Sequence, residues 1–130
     1  YKVVNISSEE EYPFLSVEDN NSQNTIGKYC IDREGLARAT ETLKNIDSPR
    51  VSVVDEVGKL EMAGGGWANE LYHLFKKSTN TIVLSVRREL VKDVIQKWKL
   101  TPEAIFEIKE THAGDTTQEI YDFLKMLLVK

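Results

Sequence analysis

Two adjacent acids, Asp55 and Glu56, end the apolar run Val51, Ser52, Val53, Val54 within the stretch RVSVVDEVGKLEM (50–62). Such a run predicts a strand, and carboxylates at its tip can do paired chemistry. An aspartate offers hard oxygen to Mg²⁺, held largely through water because that ion keeps much of its hydration. A neighbouring glutamate can orient or deprotonate a water molecule. Side chains alternate along a strand, so the two acids are expected to point in different directions, which suits two jobs better than one. The plainer reading is a pair of solvated charges where a strand stops. Gly58, Lys59 and Glu61 follow at once. Lys59 can neutralise phosphate charge, or it can pair with Glu61 or another acid.

Other residues offer weaker chemistry. Arg87 and Arg88 follow the apolar run 81–86. In a parallel sheet they would share a rim with Asp55, where an arginine can reach a phosphate; the alternative is a pair of solvated charges at a helix start. Gly64, Gly65 and Gly66 read as a turn into a helix whose free N–H groups could attract an anion. Trp67 beside them is expected to pack, or to cover a base. Cys30 reads as a small core residue and His73 as a partly buried or surface residue. His112 lies in a loop, and the two histidines form no zinc-like pattern. A metal-dependent nuclease would carry Glu-x-Lys, whereas the order here is Lys59, Leu60, Glu61.

These residues need elements to position them. Residues 2–6 and 13–17 read as short strands around an acidic turn at 7–11, 18–24 as a polar loop, and 26–31 as a further strand. Asp32 starts a helix to about Asn45, stopped by Ser48 and Pro49. The strand 51–54, apolar but for Ser52, suggests burial on both faces, as in parallel sheets. A helix over 67–77 carries Ala68, Leu71, Leu74 and Phe75 at helical spacing. Then come a strand at 81–86, a helix over 88–97, and a short strand at 105–108. A last helix is capped by Asp115 or Thr116, with Gln118 or Glu119 three residues on. Alternating strands and helices imply an α/β fold with a parallel sheet. The expected organisation is one α/β domain over 1–130, or the C-terminal portion of one. Residues 1–31 would be a hairpin or edge region and 32–130 the alternating part.

Composition narrows the function. The chain has 130 residues, 41% hydrophobic and 29% charged, with net charge -4 and one cysteine. One core is expected at this length. The acidic balance argues against general affinity for nucleic acid or acidic membranes. A lone cysteine allows no internal disulfide and suits a reducing, cytoplasmic setting. No apolar run approaches the ~18 residues of a membrane span.

An apolar strand followed by Asp-Glu is the Walker B pattern of phosphate-cleaving P-loop proteins. VVDEVGKLEM (53–62) resembles the Walker B segment of a small nucleoside-triphosphatase family, the cancer-related or thermophile-type NTPases. There, Asp-Glu is followed by an apolar residue, Gly, Lys, an apolar residue and Glu. IGKYCID (26–32) is similar to the Gly-Lys-Tyr stretch of that family, and TIVLSV (81–86) to a strand downstream; the likeness covers about 26–108. It implies a three-layer parallel sheet of P-loop NTPase type and Mg²⁺-dependent hydrolysis of a nucleoside triphosphate. Asp55 would be the Mg²⁺ aspartate and Glu56 the water-activating acid. Lys59 matches the pattern and, with Arg87, is the candidate for binding nucleotide phosphates.

Two parts of the family pattern are missing. The loop G-x-x-x-x-G-K-[ST] does not occur: Gly27–Lys28 is followed by Tyr29, and Gly58–Lys59 by Leu60. The Asn-Arg pair expected after the last core strand is replaced by KETHAGD (109–115). Tyr1 stands almost inside a strand-like run, so the 130 residues are expected to lack an N-terminal P-loop strand and helix. They would then be inactive without a P-loop supplied elsewhere, and the exposed sheet edge would favour self-association. The alternatives are a non-catalytic nucleotide-sensing or partner-binding domain, and a kinase-like phosphoryl transferase.

Overall fold

The computed structural model describes residues 1–17, 25–26, 28–45, 51–77, 80–109, 111 and 113–129. The polar stretch 18–24, Gly27, the Ser48–Pro49 helix stop and His112 lie outside the described residues. The chain forms two compact units, Tyr1–Val86 and Arg87–Lys130.

The first unit opens with an antiparallel hairpin, β1 (Lys2–Asn5) and β2 (Glu10–Pro13). Glu10 and Glu11 belong to β2 rather than to the expected acidic turn. Lys2 makes an ion pair with Glu11 at 2.6 Å across the hairpin, so the charge pattern serves strand pairing. A small antiparallel sheet follows in the order β3 (Leu15–Ser16), β5 (Tyr29–Ile31), β4 (Thr25–Ile26). The single strand expected over 26–31 is thus a hairpin, β4 turning into β5. Cys30 is buried in β5.

Helix α1 (Arg33–Lys44) starts as its sequence indicates: the Asp32 carboxylate accepts the Gly35 N–H at 2.8 Å. A Cβ at Gly35 would run into the Pro13 carbonyl, so only glycine lets α1 lie this close to the hairpin. Strand β6 (Val51–Val57) is followed by the single-turn helix α2 (Lys59–Met62), then α3 (Ala68–Lys77) and β7 (Thr81–Val86). The intervening helices bring β7 back parallel to β6. Among the described residues β6 and β7 pair only with each other. Leu71 of α3 and Val57 of β6 are fully buried and anchor the core. Ser52 and Val54 are buried but Val53 is 60% exposed, so β6 is covered on one face and not on both. Burial on both faces needs helices on both sides of the sheet.

The second unit holds a 3₁₀ turn (Arg88–Leu90), α4 (Val91–Trp98) and α5 (Ala113–Leu128). The stretch 105–108 is not a strand. No described segment offers it a ladder, and Ile105 and Ile108 stand largely exposed while Phe106 packs edge-on to Phe123 at 5.6 Å. Helix α5 begins at Ala113, two residues before the expected cap, so Asp115 sits in its first turn. A carboxylate there is favourable to the free N–H groups.

Candidate active site

The acid pair lies inside β6, not beyond its end. Val54 pairs with Leu84 and Val57 with Val86, so Asp55 and Glu56 together face Ser85 alone. Two residues opposite one make a β-bulge. Its effect shows in the burial sequence: Ser52 and Val54 are buried, Asp55 and Glu56 are both exposed, and Val57 is buried again. Without the extra residue, strict alternation would carry Glu56 into the core. The expectation that the two acids point to different faces is therefore corrected: the bulge presents both on the exposed side. Glu56 takes a left-handed backbone, φ 59°, a conformation that disfavours residues with a side chain. Such backbone strain gathers at functional positions.

Ser85 bonds to both residues of this bulge. Its Oγ accepts the Glu56 N–H at 2.7 Å and donates to Asp55 Oδ1. A hydroxyl can do both at once. Sequence reasoning passed over Ser85, because its only signal is a polar residue in the otherwise apolar TIVLSV.

Glu61 sits below the pair, 3% exposed. Its Oε2 accepts the N–H of Gly58 at 3.0 Å, and its carboxylate also receives the N–H of Trp67 at the start of α3. Burial pushes the Glu61 carboxyl above its ordinary value and the charge of Glu56 adds to this, while the backbone donors pull the other way. At the glycine turn expected to attract an external anion, the Gly64 and Gly65 N–H groups donate to the Glu61 and Leu60 carbonyls and the Trp67 N–H to the Glu61 carboxylate. Gly66, at φ 57°, lets the chain wrap this carboxylate, for a Cβ there would fall on Glu61 Oε1 and 2.7 Å from Leu60 Cδ2. Gly65 and Gly66 pack closely on Leu60 and Glu61 of α2. Trp67 stacks on Phe14 at 5.2 Å, as packing rather than base-covering requires.

Lys59 is exposed and makes no ion pair with Glu61 or another described acid. Glu61 is occupied by backbone donors, which leaves the Lys59 ammonium for other partners. Arg87 opens the second unit with extended backbone, φ -60° and ψ 136°, and is exposed. Arg88 pairs with Glu107 at 2.9 Å. His73 is exposed, edge-on to Tyr72. A shallow polar depression between the first hairpin and α1, where Arg38 lies 5.6 Å from the Tyr12 ring, includes none of the acid-pair residues.

Among the described residues no group of three or more His, Cys, Asp or Glu could hold a metal by itself. Two exposed carboxylates fit a hard ion that takes one or two protein ligands and completes its shell with water and phosphate oxygens. That is the donor set Mg²⁺ uses in phosphoryl-transfer sites.

A family model described as NTPase matches residues 1–121. The chain belongs to this family of P-loop NTPases. The match extends the likeness beyond 26–108, to the first hairpin and most of α5. Comparisons with curated proteins and with solved structures each give no match. An α/β chain with a parallel strand pair is compatible with the NTPase family, and membership makes a nucleoside triphosphate the substrate class. No described helix is long and apolar enough to cross a membrane.

Proposed function

We propose that the chain carries the Walker B half of a Mg²⁺-dependent nucleoside-triphosphate hydrolase, with Asp55 as the metal carboxylate and Glu56 as the water-activating base. The single observation behind this reading is the bulge, which exposes both acids together while returning Val57 to the core. A strand that simply ended would need no left-handed glutamate. Bound Mg²⁺ would offset the charge of the phosphates. Glu56 takes the proton of the attacking water, and Asp55 would hold the ion, largely through its waters. Lys59 supplies positive charge to the nucleotide. The phosphate-cradling loop, whose pattern does not occur in these residues, comes from outside them. The parallel pair would form part of a three-layer sheet of the P-loop type, in which a second helix layer would cover the exposed face of β6, and the setting is cytoplasmic.

Phosphate release across a Mg²⁺ titration tests the roles in the form that carries the loop. Glu56→Gln keeps size but removes the base, and should lower kcat about 10²–10⁴-fold with nucleotide binding largely kept. Asp55→Asn should raise the Mg²⁺ concentration for half-maximal rate. A wild-type rate in Glu56→Gln sinks the assignment. The missing loop pattern favours a second reading, a nucleotide-sensing module. It would bind nucleotide with no phosphate release in wild type or either variant.

A further inference from the structure

The bulge is tied by a residue that sits 29 positions from Glu56 in the chain, on the neighbouring strand. Ser85 uses one hydroxyl for two tasks. It receives the Glu56 N–H, which holds the left-handed residue in place, and it donates to Asp55 Oδ1, which turns that carboxylate. We propose that Ser85 is the positioning residue of the acid pair: it fixes the separation and aim of the Asp55 and Glu56 carboxylates without touching substrate. The proposal rests on the hydrolase reading above.

The β6–β7 register shifts between Val54 and Val57, and within that shift Ser85 bonds to both residue 55 and residue 56. Ser85 is exposed and lies outside the apolar core, so its removal should cost little packing. A hydrogen bond to a charged group is worth about 1.5–3 kcal/mol, or roughly 10- to 100-fold in an equilibrium or rate that depends on it.

The test compares wild type, Ser85→Ala, Ser85→Thr and Glu56→Gln. The first readout is hydrogen exchange of the Glu56 amide by NMR on this chain. Protection should fall at least about tenfold in Ser85→Ala and return in Ser85→Thr, which restores the hydroxyl. The second is phosphate release in the loop-bearing form. Ser85→Ala should lower kcat about 10- to 100-fold and raise the Mg²⁺ requirement while nucleotide KM stays within about twofold, with rescue in Ser85→Thr. Unchanged protection of the Glu56 amide in Ser85→Ala overturns the proposal. So does a wild-type kcat in Ser85→Ala when Glu56→Gln is impaired. A wild type no faster than Glu56→Gln overturns the hydrolase reading instead, and the exchange readout still decides whether Ser85 holds the bulge.

Discussion

Replacing Glu56 by glycine should make the protein more stable than replacing it by alanine. Both changes remove the carboxylate, and both leave the backbone N–H that Ser85 accepts. They differ in how they tolerate a φ of 59°. A residue with a Cβ in the left-handed region pays about 1–2 kcal/mol. Glycine avoids that cost but loses about 0.5–1 kcal/mol through its greater freedom in the unfolded chain. The balance leaves Glu56→Gly ahead of Glu56→Ala by roughly 0.5–1 kcal/mol. At a urea m-value of about 1–2 kcal/mol/M, that is a midpoint difference on the order of 0.5 M. Urea unfolding followed by circular dichroism resolves this, and equal m-values in the two variants show that stability changed without a change in the surface exposed on unfolding. Phosphate release in the loop-bearing form should be equally low for both, at the level of Glu56→Gln. The site would then carry backbone strain for the sake of its carboxylate, as functional positions do. Should Glu56→Ala match or exceed Glu56→Gly in stability, residue 56 is not left-handed and the bulge account fails.

Gly66→Ala should cost about 3–5 kcal/mol, from left-handed strain and from displacing Glu61 off its backbone donors. Gly64→Ala, at φ 84° but with nothing within 4 Å, should cost only about 1 kcal/mol. Equal unfolding midpoints for the two would refute the packing role given to the Glu61 carboxylate. The Glu61 carboxyl is raised from its ordinary 4.5, so the folded protein keeps this proton to higher pH than the unfolded chain does. Its contribution to stability is complete below the unfolded value and disappears as pH rises through the folded one. Wild type should therefore lose stability relative to Glu61→Gln as pH rises above the ordinary carboxyl value of 4.5 and through the raised folded one. A flat difference in urea unfolding, or one of opposite slope, contradicts that sign.

Local signals carried far in this chain. The Asp32 cap, the helical spacing of Ala68, Leu71 and Leu74, and the apolar run 81–86 each name their element, because caps and periodicity act over a few residues. The chemistry of Asp55 and Glu56 was legible for the same reason: two carboxylates and a following Gly-Lys are visible without a fold. Their geometry was not. The bulge depends on Ser85 in another strand, and alternation along β6 alone assigns the two acids to opposite faces. The fate of Glu61 was hidden in the same way. A glutamate two residues from a lysine reads as a surface ion pair, and only the turn through Gly65 and Gly66 brings the Trp67 N–H to its carboxylate. Residues 105–108 had a strand's composition but take no part in a ladder among the described residues. The sequence by itself determined which groups can react and which segments can be helical. The tertiary structure alone decided where strands pair, which carboxylate is buried and how the acid pair is aimed, because each of those depends on backbone partners distant along the chain.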